Sequence, residues 1–348
     1  MEQNKNQKIK NWYITNRPLY KKLANKIESI LAELLEENNL NIHALYSRAK
    51  DIDSFYTKVS KKSYSNPERE VHDLAGIRII TYVESDVEKV SAIVKKAFKI
   101  DQKNSVDKKT ELGIDKVGYQ SVHFIAELKA DRIKLPEYKK FKGLKFEFQI
   151  RTILQHAWAE IEHDRNYKFS GQLPSEIKRR FTVLAGSLEL ADREFNSIAS
   201  AIDKISIDVS VATKEGKLNI PINSTTLNSY LEDKFQNLIK EGSIEGFTSA
   251  DEEKDVIINL YQFGIDTLEK LDKLLTPQYI KNYEEFMTWE SEFQLAIANA
   301  LLYKFHNTFF DKITSNFYTV IDKTEIKLQN SMNIPIEKII KKYDIEKQ

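Results

Sequence analysis

The sequence predicts an α+β fold, in which a mixed, roughly five-stranded sheet flanked by helices precedes an all-α C-terminal domain. Between residues 42 and 168, short segments of alternating apolar and polar residues are separated by longer segments of helical periodicity. After Pro174 only helical periodicity remains. The predicted parts are an N-terminal helical segment (1–40), a mixed domain (41–204), a linker (205–223) and a helical domain (224–348).

Composition limits the classes of protein to consider. Hydrophobic residues make up 41% and charged residues 30% of the 348 residues, as in ordinary globular proteins. The net charge of +1 gives no overall attraction to nucleic acid or membranes, so any basic site must be local. Without cysteine, disulfide scaffolds and thiolate metal sites are excluded. The chain shows no membrane-spanning run or signal-peptide pattern, so a cytoplasmic location is expected.

The first predicted elements are a helix and a strand that leads into a second helix. Residues 1–16 are polar and are expected to be loose. Apolar residues then recur at helical spacing from Leu19 to Leu35, which is typical of a packing helix. Residues 42–48 alternate as in a strand, and the second helix is expected to begin near Asp51 or Asp53.

Basic residues mark the end of this strand and the helix after it. They are Arg48, Lys50, Lys58, Lys61 and Lys62. Ser54 precedes Lys58 by one helical turn, so both side chains can point to the same side. Arginine forks and lysine point charges could together bind a triphosphate. A solvated basic face is the alternative interpretation.

A strong strand signal runs over residues 76–83, and the helix that follows it is expected to end near Phe98. Asp73 stands just before the strand, Gly76 would allow close backbone approach, and Arg78 follows in the strand. A carboxylate at such a strand edge can bind Mg²⁺, which prefers carboxylate and phosphate oxygens. The alternative is a loop aspartate that caps neighbouring backbone.

A polar, lysine-rich stretch, residues 99–117, separates this region from the next strand. The strand restarts after Gly118, with Tyr119 and His123 on the same side. The ring of Tyr119 could stack on a nucleobase, a contact worth about 1–3 kcal/mol in single-strand binders.

The passage from Leu144 to Lys168 changes from strand to helix periodicity. Its apolar face consists of Leu144, Phe146, Phe148 and Ile150, and its polar face of Lys145, Glu147, Gln149 and Arg151. Thr152 is expected to be the N-cap of the helix. A polar face of this composition could hold a metal and phosphates, and an edge strand with a solvated face is the alternative.

The C-terminal part is predicted to be helical throughout. One long helix is expected from Ser175 to Ile205. Further helices are expected near residues 226–240, 252–272, 277–286, 289–323 and 334–343.

Four stretches occur in the order typical of RelA/SpoT-type alarmone synthetases, and the chain resembles that family over residues 40–200. The stretches are RAKDIDSFYTK, HDLAGIRI, GYQSVHF and FEFQIRTILQHAWAEIEH. The resemblance implies a nucleotidyltransferase-like domain, close to the small alarmone synthetases, with an added C-terminal helical domain. It also implies transfer of pyrophosphate from ATP to the 3′-hydroxyl of GDP or GTP, with Mg²⁺ as cofactor. The products would be AMP and guanosine tetra- or pentaphosphate.

The resemblance also implies roles for individual residues, by position in the motifs. The catalytic set is Glu147, Asp73 and Arg78, of which Asp73 and Glu147 would hold Mg²⁺. The ATP-binding set is Arg48, Lys50, Ser54 and Lys58. The acceptor-binding set is Tyr119, Gln149, Arg151, His156 and Lys116.

Two departures from the family pattern bear on the expected function. Residues 1–40 are too few for the phosphohydrolase domain of bifunctional members, so hydrolase activity is not expected. Asp115-Lys116-Val117-Gly118 stands where long members show Pro-Lys-x-Asn-Gly, which displaces Lys116 and leaves the acceptor undecided. A toxin-like enzyme acting on the 3′ end of tRNA and a non-catalytic nucleotide-binding module are the alternatives. A homo-oligomer is also left open.

Overall fold

Two compact units make up the chain, residues 1–199 and residues 200–348. The computed structural model describes residues 2–62, 64–107, 121–168, 174–286, 291–314, 320–343 and 345–347. Within these ranges, no helix is long and apolar enough to cross a membrane.

The first unit is built on a mixed sheet. Its strands are β1 (Ala44–Ala49), β2 (Ala75–Thr81), β3 (Lys99–Ile100), β4 (Val106–Asp107), β5 (Val122–Glu127) and β6 (Phe146–Thr152). They lie in the order β1-β2-β6-β5-β3, and β4 also pairs with β5. β2 and β6 run parallel at the centre, whereas the other pairs are antiparallel. This arrangement confirms the predicted mixed sheet.

Helices precede, connect and follow these strands, and the last of them continues past residue 199, where the first unit ends. They are α1 (Glu2–Glu37), α2 (Ile52–Lys61), α3 (Pro67–Glu70), α4 (Glu84–Ala97), α5 (Ala130–Ile133), α6 (Ile153–Lys168) and α7 (Ser175–Lys214). α1 begins much earlier than expected, because Trp12 and Tyr13 extend its apolar stripe toward the N-terminus and Tyr13 is fully buried. The expectation that residues 1–16 are loose is therefore wrong.

The alternation predicted for β6 is confirmed by its burial. Phe146, Phe148 and Ile150 are fully buried, and the two phenylalanine rings lie 5.7 and 5.0 Å from the ring of Phe98. They share one hydrophobic core with α1 and α4. Burying one such side chain stabilises a fold by about 1.5–3 kcal/mol, so this face is fixed toward the core. The alternate side chains of β6 consequently face the other side of the sheet.

A capping box fixes the passage from β6 into α6. The hydroxyl of Thr152 accepts a hydrogen bond from the backbone N–H of Gln155 at 3.2 Å. The side-chain oxygen of Gln155 accepts from the backbone N–H of Thr152 at 3.1 Å. The prediction of Thr152 as the N-cap is confirmed, and the reciprocal pair sets where the strand ends and the helix begins.

The second unit is mainly helical. Its helices are α8 (Ser224–Lys234), α9 (Gln236–Lys240), α10 (Ala250–Gln262), α11 (Leu268–Leu274), α12 (Pro277–Phe286), α13 (Phe293–Phe305), α14 (Phe309–Lys312), α15 (Lys323–Ser331) and α16 (Ile336–Tyr343). Two short parallel pairs join β7 (Ile244–Glu245) to β8 (Ser291–Glu292) and β9 (Val320–Ile321) to β10 (Glu346–Lys347). The helix predicted over 252–272 is split, because Gly264 adopts a left-handed φ of 75° between α10 and α11.

The helix predicted to end at Ile205 is longer. α7 continues through residues 205–214, because Val209 keeps the apolar spacing and is buried in the core of the second unit. The helix ends where Gly216 has a φ of 70° and the N–H of Lys217 donates to the carbonyl of Ala212 at 2.9 Å. A left-handed glycine with that bond is a Schellman C-cap. The predicted domain boundaries stay predictions.

Candidate active site

The strand register brings residues from distant parts of the sequence into rows on the polar face of the sheet. Arg48 on β1 lies opposite Gly76 on β2, and Gly76 lies opposite Glu147 on β6. The second row lies two residues further along each strand from the first. It contains Tyr46, Arg78, Gln149 and His123. Because residues two apart share a face of a strand, the side chains of both rows point to the same side.

These rows line a pocket. Its walls are formed by Tyr46, Arg48, Asp73, Gly76, Ile77, Arg78, Glu147 and Gln149. Gly76 has no side chain, and a Cβ atom there would lie 3.9 Å from Cγ of Arg48, its neighbour in the first row. The structure therefore brings Arg48, Asp73, Arg78, Glu147 and Gln149 of the predicted site around one space.

Two lysines hold Asp73. Its Oδ2 accepts hydrogen bonds from Nζ of Lys50 at 2.7 Å and from Nζ of Lys58 at 2.9 Å. Burial raises the pKa of the carboxyl, but the charges and hydrogen bonds of the two ammonium groups outweigh it, so the pKa of Asp73 lies below its ordinary value. Its Oδ1 is buried and has no hydrogen-bond partner among the described residues.

Glu147 is held by two neighbours on the sheet. Nδ1 of His123 donates to its Oε1, and Nε2 of Gln149 donates to its Oε2, each at 2.9 Å. Burial and the nearby Asp73 raise the pKa of the Glu147 carboxyl, whereas the hydrogen bond and charge of His123 lower it. The net pKa lies below the ordinary value, so Glu147 is ionised at neutral pH.

A third cluster surrounds Glu160 on α6. Nη1 of Arg78 donates to Oε1 of Glu160 at 2.9 Å, and Nη2 of Arg151 and Nδ1 of His156 each lie 3.8 Å from the same oxygen. Burial and the cations Arg151 and Arg78 lower the pKa of His156. Arg151 and His156 thus group around Glu160 and are not among the described residues that line the pocket.

The remaining predicted residues fall into two groups. Ser54 is exposed in the first turn of α2, where its backbone N–H donates to Oδ1 of Asp51 at 3.1 Å. Tyr119 and Lys116 lie outside the residues that the structure describes.

Sequence reasoning missed His123 and Glu160 as site residues. The alternation of β5 placed His123 on the side of Tyr119, which was the available signal for it. Glu160 follows His156 by one helical turn, and that spacing was the signal for its contact with His156. Its contact with Arg78, 82 residues away in the chain, had no local signal.

The donor atoms of the pocket fit a divalent cation bound together with phosphate oxygens. Within the described ranges, no group of three or more histidine, aspartate or glutamate side chains could hold a metal alone. Mg²⁺ is commonly held by one or two carboxylates and completes its shell with water and substrate phosphates. The buried Oδ1 of Asp73 is a carboxylate oxygen left over for such a cation.

Comparison with known proteins finds a matching family region and similar proteins. Residues 47–172, which include Asp73 and Glu147, match the region found in RelA / SpoT proteins. GTP pyrophosphokinase YjbM of Bacillus subtilis (strain 168) is 28% identical over 173 residues, covering 49% of this chain and 77% of that protein. GTP pyrophosphokinase YwaC of the same organism is 27% identical over 195 residues, covering 53% and 89%.

A solved structure is also similar. The crystal structure of the small alarmone synthetase 1 from Bacillus subtilis has a TM-score of 0.47 and 26% sequence identity, covering 56% of this chain and 98% of that chain.

Proposed function

Because residues 47–172 match the region found in RelA / SpoT proteins and the chain is similar to two GTP pyrophosphokinases, we propose that this chain is an ATP-dependent pyrophosphokinase. It transfers the β,γ-pyrophosphoryl group of ATP to the 3′-hydroxyl of GDP or GTP. One observation carries the proposal: two ionised, largely buried carboxylates, Asp73 and Glu147, line one pocket together with two arginines. The two lysines that donate to Asp73 add to the positive charge beside it.

The reaction needs positioning and charge neutralisation more than covalent chemistry. The 3′-oxygen forms a bond to the β-phosphorus, the bond between that phosphorus and the α,β-bridging oxygen breaks, and its electron pair leaves with AMP. The proton of the 3′-hydroxyl passes to a base or to water. In such transfers an enzyme contributes mainly by aligning the reactants and by stabilising the spread negative charge.

Lysine and arginine side chains supply the positive charge that neutralises the phosphates of ATP. Lys50 and Lys58 converge on Asp73, and Arg48 and Arg78 line the same pocket. Guanidinium groups bind phosphate oxygens in pairs, and ammonium groups act as mobile point charges. Arg48, Lys50 and Lys58 are therefore proposed to bind ATP, with Arg78 at the transferred phosphates. Ser54 keeps the ATP-binding role that the family resemblance predicts.

Mg²⁺ is the metal we propose, held by Asp73 and Glu147. When bound, Mg²⁺ would polarise the β-phosphate and neutralise part of its charge. Asp73 provides the carboxylate oxygen without a hydrogen-bond partner among the described residues, and Glu147 provides the second anionic group in the same pocket.

Glu147 is proposed to orient the attacking hydroxyl more than to remove its proton. A general base works best when its pKa lies near the working pH. His123 keeps the pKa of Glu147 below the ordinary value, so its carboxylate is a weak base at neutral pH. An ionised carboxylate can still accept a hydrogen bond from the 3′-hydroxyl and direct the oxygen toward phosphorus.

The acceptor side rests on fewer described residues. Gln149 lines the pocket beside Glu147 and is proposed to contact the acceptor. Tyr119, Lys116, Arg151 and His156 keep the acceptor-binding roles that the family resemblance predicts.

Labelled ATP tests the proposal directly. The full chain is incubated with ATP labelled on its γ-phosphate, Mg²⁺, and either GDP, GTP or deacylated tRNA. Label on GDP or GTP, with release of AMP, is the expected result. Label on tRNA alone would overturn the proposed acceptor, and binding of ATP without transfer to any acceptor would overturn the proposed activity.

A further inference from the structure

We propose that Tyr13 and Arg17 of α1 are positioning residues for Lys50, so that a helix preceding the family region completes the ATP side of the site. The inference rests on the proposed function, because that function gives Lys50 its role toward ATP. Both residues lie before residue 47, where the matched family region begins.

Lys50 occupies a place that the sheet does not fix. It lies after the last residue of β1 and before the first turn of α2. Its backbone N–H donates to the carbonyl of Leu74 at 2.9 Å. Its carbonyl accepts two hydrogen bonds from α1, from the hydroxyl of Tyr13 at 2.7 Å and from Nε of Arg17 at 3.0 Å.

The Tyr13 hydroxyl lies between the two segments that carry the lysine and the aspartate. It is 2.7 Å from the carbonyl of Lys50 and 3.5 Å from the carbonyl of Leu74, the residue after Asp73. Burial raises the pKa of Tyr13, so the hydroxyl keeps its proton and remains a donor. Its position therefore restrains the spacing between the backbone of Lys50 and the backbone next to Asp73.

The ring of Tyr13 also restrains α2. It is fully buried, and its centroid lies 4.4 Å from that of Phe55. Phe55 follows Ser54 directly and lies one helical turn before Lys58, whose ammonium reaches Asp73 at 2.9 Å. One side chain of α1 thus contacts both segments that deliver lysines to the carboxylate.

The competing explanation is that Tyr13 has a purely structural role. A phenylalanine at position 13 would fill nearly the same volume. The two roles differ in what they change. Loss of packing lowers the stability of the fold and does not distinguish between the two substrates. A shifted Lys50 instead lowers kcat/KM for ATP and leaves the KM for the acceptor unaltered.

The test compares Tyr13→Phe with the wild-type chain, measuring kcat and KM for ATP, KM for the guanine nucleotide, and the melting temperature. Misplacement of a group that aligns a reactant costs about ten- to a hundredfold, so we expect kcat/KM for ATP to fall about tenfold. The KM for the guanine nucleotide should stay unchanged.

Tyr20→Phe is the matched control. Tyr20 is also buried on α1, its ring centroid lies 6.3 Å from that of Tyr13, and its hydroxyl has no hydrogen-bond partner among the described residues. Removal of this hydroxyl should leave kcat/KM for ATP at the wild-type value.

Arg17→Met provides a second variant, because it removes the other donor to the same carbonyl and keeps an apolar stem. Since both donors act on one acceptor, the double variant should lose less than the product of the two single losses. Full additivity, or an equal loss for ATP and acceptor accompanied by a lower melting temperature, would overturn the inference.

Failure of the proposed function can be told apart from failure of this inference. If the wild-type chain transfers pyrophosphate and Tyr13→Phe does so equally well, only the positioning role falls. If the wild type transfers to no acceptor, titration with α,β-methylene ATP decides: weaker binding to Tyr13→Phe than to wild type supports the inference, and equal or absent binding refutes it.

Discussion

Nζ of Lys50 lies 2.7 Å from Oδ2 of Asp73, although 23 residues separate the two in sequence. Lys58 donates to the same oxygen at 2.9 Å, so one carboxylate oxygen orders two cations. Both ammonium groups are partly shielded from water, and charges so placed interact more strongly than exposed ones. Asp73 therefore organises the lysines in addition to any role toward a metal.

Replacing this aspartate tests that relationship. Asp73→Asn keeps the side-chain volume but leaves Lys50 and Lys58 without their shared anion. Loss of a preorganised charge in an active site typically costs a hundredfold or more, so we expect the rate of pyrophosphoryl transfer to fall by about a hundredfold at least. The rate is measured under saturating ATP and guanine nucleotide.

Asp101→Asn is the matched control for that change. Asp101 forms a comparable pair, 2.6 Å from Nζ of Lys145, but does not line the pocket. Its substitution should leave the transfer rate near wild type at neutral pH. Equal losses in both variants would mean that ion pairing, and not the site, explains the Asp73 result.

Glu147→Gln tests the second carboxylate. The variant keeps the shape of the side chain and removes its charge, so transfer should fall by about a hundredfold or more while the circular dichroism spectrum is retained. Glu127→Gln, at the end of the neighbouring strand β5 and outside the pocket, should behave as wild type. Full activity of Glu147→Gln would remove Glu147 from the mechanism.

Thr152 joins the strand that carries Glu147 to the helix that carries Glu160. Its hydroxyl accepts from the N–H of Gln155 and donates to Oδ2 of buried Asp192 at 2.7 Å. Thr152→Ala removes the cap and leaves a buried carboxyl without this donor, which should lower the free energy of unfolding by about 2 kcal/mol. Thr152→Ser keeps both bonds and should lose clearly less, as measured by urea denaturation.

The Asp101–Lys145 pair predicts a specific acid sensitivity. Hydrogen bonds from Lys145 and Asn104 lower the pKa of Asp101 from 3.8 to about 2 in the folded chain. A carboxyl whose folded pKa is depressed stabilises the fold above its unfolded pKa, and loses that contribution as the pH falls through the folded value. Wild type should thus exceed Asp101→Asn in unfolding free energy at pH 5, with the difference shrinking toward pH 2. A difference independent of pH would contradict the assignment.

Local patterns predicted the strands and the faces of the site. The alternation around Phe146 and Phe148 placed Glu147 and Gln149 on the polar side, since a strand has only two faces and the apolar one must be buried. Local patterns did not predict which residues contact each other across the sheet. The contacts of Glu147 with His123 and of Arg78 with Glu160 depend on how strands and helices pair over long separations.

Composition misled the prediction at two helix ends. The polar residues around Trp12 and Tyr13 suggested a loose segment, yet Tyr13 is buried in the core and Trp12 packs against it. The polar residues around Val209 suggested a linker, yet Val209 is buried in the core of the second unit and the helix continues to Lys214. In both places tertiary packing outweighs local polarity.

The parallel pairing of β2 with β6 constrains how this gene can change over generations. Because successive side chains alternate, a single-codon insertion between Phe146 and Glu147 would turn the carboxylate of Glu147 into the core and put the inserted residue in its place. Single substitutions in this strand therefore keep its register, whereas insertions and deletions of codons do not. Insertions around the exposed residues 134–137, between α5 and β6, leave the register untouched, and variation in length among descendants should occur mainly there.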